Sequence, residues 1–327
     1  MKKQLQVWQF ISKSIRDNVA VMLLYVLESF GSSPGRAGFC MAVNARGEMV
    51  GSIGGGIMEH KFAEMAKEKL RHDEKDATVY KQFHDKASLK LQSGMICSGE
   101  QTNLLYRVSE HDVTAIDKLI NCWQSHQSGT LTLSKIGIAF NEEAPEEDFR
   151  FVMQDENQDD WWYQERVGYK NTIHIIGAGH CALALSKLMS EMDFYIHLYD
   201  DRQNLHTYVE NDFAHKKTVV SDYTALNTFI SSGHNQYIVA MTAGYRTDDI
   251  VVRTLLDKHF RFFGLLGSKK KIEKMFAGYR IDGIAEELLK KLHAPVGLSI
   301  NSQTPEEIAI SIAAEMIQVK NSVTLFT

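Results

Sequence analysis

Residues 172–202 read TIHIIGAGHCALALSKLMSEMDFYIHLYDDR, and this stretch decides the fold. The apolar run Ile173 to Ile176 predicts a buried strand. Gly177-Ala178-Gly179-His180-Cys181-Ala182 breaks it, Leu185, Leu188 and Met192 follow at helical spacing, and Tyr195 to Tyr199 predicts a second strand ending on Asp200-Asp201. Strand, glycine turn, helix, strand and acid is the order of a βαβ unit that holds a dinucleotide-like ligand, because glycines let backbone amides approach a phosphate at the helix N-terminus. Gly177 would make the tight turn, Gly179 would leave room for a pyrophosphate beside His180, and Ala182 would let helix and strand pack closely. Asp200 would accept both hydroxyls of a ribose, which disfavours a 2′-phosphate there, and the neighbouring Arg202 offsets that preference. A doubly wound domain that keeps its turn without a ligand fits the same pattern.

Around this unit the chain has 327 residues, enough for two domains. The net charge of −5 and a pI of about 6.2 give no footprint for nucleic acid. The N-terminal MKKQLQVWQFISKSIRDN lacks the uninterrupted apolar core of a secretory signal and predicts an amphipathic helix with Leu5, Trp8, Ile11 and Ile15 on one face. No run is long enough for a membrane-spanning helix. Cys40, Cys97, Cys122 and Cys181 form no C-x-x-C pair, which predicts reduced thiols and a cytoplasmic location.

In the N-terminal half, Ala20 to Glu28 predicts a strand buried on both faces. The polar loop Gly31-Ser32-Ser33-Pro34-Gly35-Arg36-Ala37-Gly38 carries one cation, and a hairpin follows from Phe39 through the turn Asn44–Gly47. Its second arm ends in Gly54-Gly55-Gly56, directly before a helix over Ile57–Leu70 with Glu59 and His60 in its first turn. This is a second expected anion cradle, since a strand-to-helix corner alone would need fewer glycines. Glu59 would favour the helix dipole with or without a ligand. A strand from Ala77 to Phe83 leads into a loop where Cys97 stands among Gly94, Ser98 and Gly99, a setting suited to a thiolate that binds a soft metal or accepts sulfur. Glu110 to His126 reads as a helix and Thr130 to Phe140 as one strand. Glu142 to Asp160 holds nine acidic residues and one basic, which predicts a solvated linker or an edge excursion. Trp161 to Tyr163 would form a last strand before a domain boundary near Tyr169, giving domains 1–168 and 169–327.

Past the Rossmann turn, strands are expected at Lys217–Val220, Tyr237–Met241 and Phe262–Leu266, with Thr242, Arg246 and Asp248 at the carboxyl end of the second. Lys269, Lys270 and Lys271 open a helix against its dipole and call for an anion or an acidic partner. Thr304, Pro305 and Glu307 form a capping box. The fold class is therefore α/β, an N-terminal mixed α/β domain followed by a Rossmann-like doubly wound parallel sheet.

Four segments together resemble the xanthine dehydrogenase accessory factor family of the XdhC/CoxI type: GSSPGRAG with GSIGGGIMEH, the Cys97 loop, the glycine turn with YDDR, and GLLGSKKK with PVGLSINSQTPEEIAISIAAEMI. The resemblance implies a carrier without turnover of its own. It would bind the molybdenum cofactor, as molybdopterin or its dinucleotide form, support its sulfuration and insert it into a xanthine dehydrogenase-type molybdoenzyme. That enzyme and a cysteine desulfurase would be partners, and the chain would form a homodimer. The implied cofactor contacts are Arg36, Gly54, Gly55, Gly56, Glu59, Cys97, Gly177, Gly179, His180 and Asp200, with Cys97 as the metal ligand. Ser98 replaces a family glycine, Ile57 stands where many members carry a second cysteine, and Ala243-Gly244 replaces a Thr-His pattern. The Rossmann half by itself also suits an NAD-dependent oxidoreductase or a nucleotide-sensing module, neither of which accounts for the Cys97 loop. Four scattered cysteines cannot ligate the iron–sulfur clusters of a xanthine dehydrogenase, so no xanthine oxidation is expected of this chain alone.

Overall fold

Val21 to Leu27 is apolar at every position, and all seven residues are buried. A computed structural model describes residues 2–74, 77–83, 99–145, 147–153 and 160–322, which divide into two compact units, Met1–Gly168 and Tyr169–Thr327. The first unit runs α1 (Lys2–Arg16), β1 (Val21–Gly31), β2 (Cys40–Asn44), β3 (Met49–Gly51), α2 (Gly56–Arg71), β4 (Thr78–Phe83), β5 (Gly99–Arg107), α3 (Val113–Gln124), β6 (Gly129–Ser134), β7 (Gly137–Asn141), β8 (Phe149–Met153) and β9 (Trp161–Val167). β1 is central in an antiparallel sheet of order β3-β2-β1-β5-β4. Its odd residues Leu23, Tyr25 and Leu27 share a core with Trp8 and Ile11 of α1, and its even residues Met22, Leu24 and Val26 share one with Met58, Phe62 and Ala66 of α2. Coverage of both faces explains why an antiparallel strand reads as one unbroken apolar run.

One expectation in this unit changes. Thr130–Phe140 is a hairpin, β6 turning at Lys135-Ile136 into β7, with Ser134 opposite Gly137. The reason is parity. Leu131 and Leu133 face the core from odd positions, whereas the buried Ile138 and the packed Phe140 do so from even ones, and only a turn between them can switch the face. Ile136, 99% exposed, sits at that turn. Of the two readings of the acidic stretch 142–160, the described residues show the edge excursion: β8 lies within it and pairs antiparallel with β9 in a second sheet of order β7-β6-β9-β8.

The second unit runs β10 (Asn171–Ile176), α4 (His180–Ser190), β11 (Phe194–Asp200), α5 (His206–Val209), β12 (Lys216–Val219), α6 (Leu226–Phe229), β13 (Gly233–Ala240), α7 (Tyr245–Leu255), β14 (Phe260–Leu265), α8 (Lys269–Ile281), α9 (Glu286–Leu289), β15 (Leu292–His293) and α10 (Pro305–Asn321). Its parallel sheet has the order β12-β11-β10-β13-β14-β15. The chain builds outward from β10 on one side and then crosses to β13 on the other, so the switch point lies at the carboxyl ends of β10 and β13. α4 and α10 pack against one face through Leu185, Met189, Ile312 and Met316. The predicted capping box is formed: the Glu307 amide donates to the Thr304 hydroxyl at 3.2 Å, and the Glu307 carboxylate accepts from the Thr304 amide at 3.2 Å.

The opposite face carries a buried polar chain. His174 Nε2 lies 2.8 Å from Gln236 Oε1, Tyr199 OH lies 3.1 Å from His174 Nδ1 and 2.7 Å from His197 Nδ1, and His197 Nε2 lies 2.8 Å from Thr218 Oγ1. The carbonyl oxygen of Gln236 can only accept, so His174 carries its proton on Nε2 and accepts the Tyr199 hydroxyl proton on Nδ1. His197 must then donate from Nδ1 to Tyr199 and accept from Thr218. Both imidazoles are neutral in this arrangement.

Candidate functional site

Two places gather the residues singled out by sequence. In the first unit, Gly31 at the end of β1 pairs with Gly99 at the start of β5. The fully buried Gln101 joins the loops above them. Its Oε1 accepts from Ser33 Oγ at 2.8 Å and from the Gly35 amide at 3.1 Å, while its Nε2 donates to the Ile53 carbonyl at 3.0 Å. The loops interlock: a Cβ at Gly54, where φ is +127°, would lie 2.6 Å from the Gly35 nitrogen, and one at Gly35 would lie 2.2 Å from the Ile53 oxygen. Gly55 and Gly56 also hold positive φ, 77° and 72°, so all three glycines adopt a backbone that side chains disfavour.

The cradle already holds a carboxylate. Glu59 Oε2 accepts from the amides of Ile53 at 2.9 Å and Gly55 at 3.0 Å and from Ser52 Oγ, and the Gly54 amide donates to Ser52 Oγ at 3.1 Å. The expectation of free amides waiting for a phosphate at Gly54–Gly56 is met by a nest filled from within the chain. The Gly55 face stays open, with nothing within 4 Å of the point a Cβ would occupy. Arg36 is exposed and donates from Nη1 to the Gly31 carbonyl at 3.0 Å. Phe30 at the end of β1, Phe39 in the loop and Ile57 in the first turn of α2 leave exposed apolar surface. Cys97 lies outside the described residues; in sequence it precedes Gly99 by two positions.

In the second unit, Gly177 has φ of +100° and donates its amide to the Tyr199 carbonyl at 2.8 Å, and a Cβ there would lie 2.4 Å from the Met241 oxygen. Only glycine fits this close crossing of β10 and β13. Gly179 is the N-cap of α4 without a side-chain cap, and nothing lies within 4 Å of its absent Cβ. The helix start thus has no side-chain cap and leaves room at Gly179 beside the exposed His180, where an anion would meet the positive end of the helix.

Asp200 is fully buried at the tip of β11. Its Oδ2 accepts from the Ala178 amide at 2.7 Å and Arg202 Nη2 at 2.9 Å, and its Oδ1 from the Arg202 amide and Nε, both at 2.9 Å. Burial raises its pKa, but the bonds from Arg202 and Ala178 outweigh that and hold the carboxyl below its ordinary value. All its acceptor sites are taken by the chain, so Asp200 fixes the glycine turn, and a ribose would have to displace Arg202 to reach it. At the next turn Asp248, also fully buried, accepts on Oδ1 from the Thr242 amide at 3.0 Å and hydroxyl at 2.7 Å, and its Oδ2 pairs with Lys271. This pairing answers the cationic start of α8: the acidic partner is internal. The sequence reading did not single out Gln101, and the signal for it is a Gln and an Asn at alternate positions 101 and 103, polar side chains in a stretch of β5 that is buried throughout.

Burial raises the thiol pKa of Cys40, of Cys122 to about 11, and of Cys181, so these three stay protonated at neutral pH. Among the described residues no cluster of three or more His, Cys, Asp or Glu suits a metal ion, and no helix is long and apolar enough to cross a membrane.

Residues 14–81 match the model of the XdhC and CoxI family, and residues 173–316 match that of the XdhC Rossmann domain. The chain belongs to the XdhC and CoxI family. Among the relatives of this family member, a probable xanthine dehydrogenase subunit of Bacillus subtilis (strain 168) is 23% identical over 328 residues, covering 95% of this chain and 96% of the relative. The uncharacterized protein YqeB of Escherichia coli (strain K12) is 30% identical over 158 residues, 47% of this chain, which spans only 28% of YqeB. A crystal structure described as a xanthine dehydrogenase from Bacillus halodurans superposes with a TM-score of 0.72 at 24% identity, covering 99% of this chain and 97% of that one, and shows the same fold.

Proposed function

We propose that this XdhC-family chain is an accessory factor for a xanthine dehydrogenase-type molybdoenzyme, binding the molybdenum cofactor, keeping it while its sulfido ligand is installed and passing it to the apoenzyme. The observation that carries this reading is the convergence of Gly31–Gly38, Gly51–Gly56 and the Gly99 start of β5, two positions after Cys97 in sequence, at one end of a sheet. Family membership and the name of the Bacillus subtilis relative point the same way. Bound cofactor would supply the molybdenum centre and its terminal sulfur. For the protein's part, Cys97 is the proposed thiolate contact in the first unit; in the second unit, taken by itself, the N-terminus of α4 beside Gly179 and His180 suits a phosphate or nucleotide. Gly54–Gly56 and Arg36 would line the site through close backbone approach and charge, with Glu59 holding that backbone in shape. The sulfur donor would be a cysteine desulfurase, and the carrier would work as a cytoplasmic homodimer.

A second reading, nucleotide binding such as NAD for a sensing or oxidoreductase role, draws on the strand order and the open turn at Gly179. The saturated Asp200 weakens its ribose contact. The two separate in a transfer assay: purified chain loaded with molybdenum cofactor is mixed with an apo-molybdoenzyme while NADH binding is followed by fluorescence. Activation of the apoenzyme in proportion to loaded chain supports the carrier. Tight NADH binding with no activation would support the nucleotide reading instead.

A further inference from the structure

The acidic stretch that hides β8 leaves that strand incompletely used. Phe149, Phe151 and Met153 stand opposite Glu165, Tyr163 and Trp161 of β9, so they lie on the face that closes the core. On β9 those three partners are 5%, 0% and 3% exposed, whereas Phe149 is 52% and Met153 37% exposed. Among the described residues, the core face continues one strand beyond its cover. β8 is also an edge: the Arg166 amide donates to the Asp148 carbonyl at 2.9 Å, so residues 148, 150 and 152 bond to β9, and the N–H and C=O groups of Phe149, Phe151 and Met153 point outward. Such an edge accepts a further strand.

Charge decides which strand. Five acidic residues precede β8 between Glu142 and Asp148, and four follow between Asp155 and Asp160, against the single cation Arg150, which lies 5.5 Å from the Trp162 ring centre. Antiparallel pairing of β8 with a second copy would bring acidic flank against acidic flank, which is repulsive. We propose that the β8 edge docks an extended segment of a partner protein with apolar side chains at alternate positions and lysine or arginine on both sides. The apolar residues would cover Phe149 and Met153, the outward backbone groups would pair, and the basic flanks would meet residues such as Glu147 and Asp160, both exposed.

The test uses the full chain and a fluorescein-labelled synthetic peptide, Lys-Lys-Ile-Thr-Ile-Thr-Ile-Lys-Lys, followed by anisotropy, with a Glu-flanked version as control. The Lys-flanked peptide is expected to bind about tenfold more tightly than the control, less so as salt rises. Glu147→Lys with Asp160→Lys should weaken it about tenfold. Phe149→Pro removes an outward N–H without touching a bond to β9, so it should abolish binding while leaving the thermal unfolding profile nearly unchanged. Equal binding of the two peptides, undiminished binding to Phe149→Pro, or no binding to the wild-type chain would overturn the proposal. A dimer that Phe149→Pro converts to monomer, with no peptide bound, would also overturn it by naming a second copy as the occupant.

Discussion

Lowering the pH from about 7.5 to about 5 is expected to destabilise the Rossmann unit through His174 and His197. Burial pushes the His174 pKa from 6.5 to about 4, partly opposed by its bond to Gln236. Burial, with His174 and Lys216 nearby, pushes His197 from 6.5 to about 3. Burial also raises Tyr199, so the hydroxyl between them keeps its proton. Both histidines bind protons more tightly in the unfolded chain than in the fold. Stability from this source is therefore complete above about pH 6.5 and declines as the pH falls from there toward about 4. For His174 the full gap is worth about 3 kcal/mol, of which about 2 kcal/mol is lost by about pH 5. His197, buried in the same polar chain and depressed in part by His174, shifts stability in the same direction. Urea unfolding of the wild type and of His174→Asn, each at both pH values, isolates the effect, because other titrating groups are common to the two. The variant should be weaker at about pH 7.5, since it leaves Tyr199 without its acceptor, yet lose about 2 kcal/mol less on acidification. An identical loss in both proteins would show that His174 is not held neutral by the fold.

Three further outcomes follow from the site geometry. Gly54→Ala adds a clash with Gly35 to the strain of positive φ and should cost about 3–5 kcal/mol, whereas Gly55→Ala meets open space and should cost only the backbone strain of about 1–3 kcal/mol, a ranking read from thermal unfolding midpoints. Asp248→Asn leaves Lys271 unpaired in a half-buried position and should cost about 2 kcal/mol, partly recovered when Lys271→Met is added, as denaturant titration would show. Asp200→Ala frees Arg202 and the Ala178 amide together. It should cost about 2–3 kcal/mol and raise proteolysis near the glycine turn, and an unchanged cleavage pattern would contradict the anchoring role.

The Rossmann half was readable because each of its local signals agrees with the global arrangement: an apolar strand, glycines where only glycine fits, and a capping box that forms as spelled. β1 and α1 were equally plain, since burial on both faces and on one face leave distinct patterns. The hairpin Gly129–Asn141 was missed because β-branched and apolar residues run across its turn with no Asn-Gly signal, although the parity change from Leu133 to Ile138 records it. β8 was hidden by its acidic flanks, whose charge dominates any window of composition wide enough to include five strand residues. For the site, the sequence picked out Glu59, Asp200 and Lys271 as groups awaiting a ligand or partner, and in each case the nearest partner is the chain itself. A residue type and its spacing cannot reveal a hydrogen bond closed locally, which depends on side-chain direction at a bend. Gln101 is not legible in the sequence because, apart from its bond to Asn103, its contacts are to residues 48 and more positions away.

The central claim is that the chain retains the molybdenum cofactor through Cys97. The most direct measurement is incubation of the purified chain, wild type and Cys97→Ala, with molybdenum cofactor, followed by gel filtration and metal analysis of the protein peak. Molybdenum near one per chain is expected in the wild type, and its loss in Cys97→Ala. Equal molybdenum in both proteins, or none in the wild type, would contradict it.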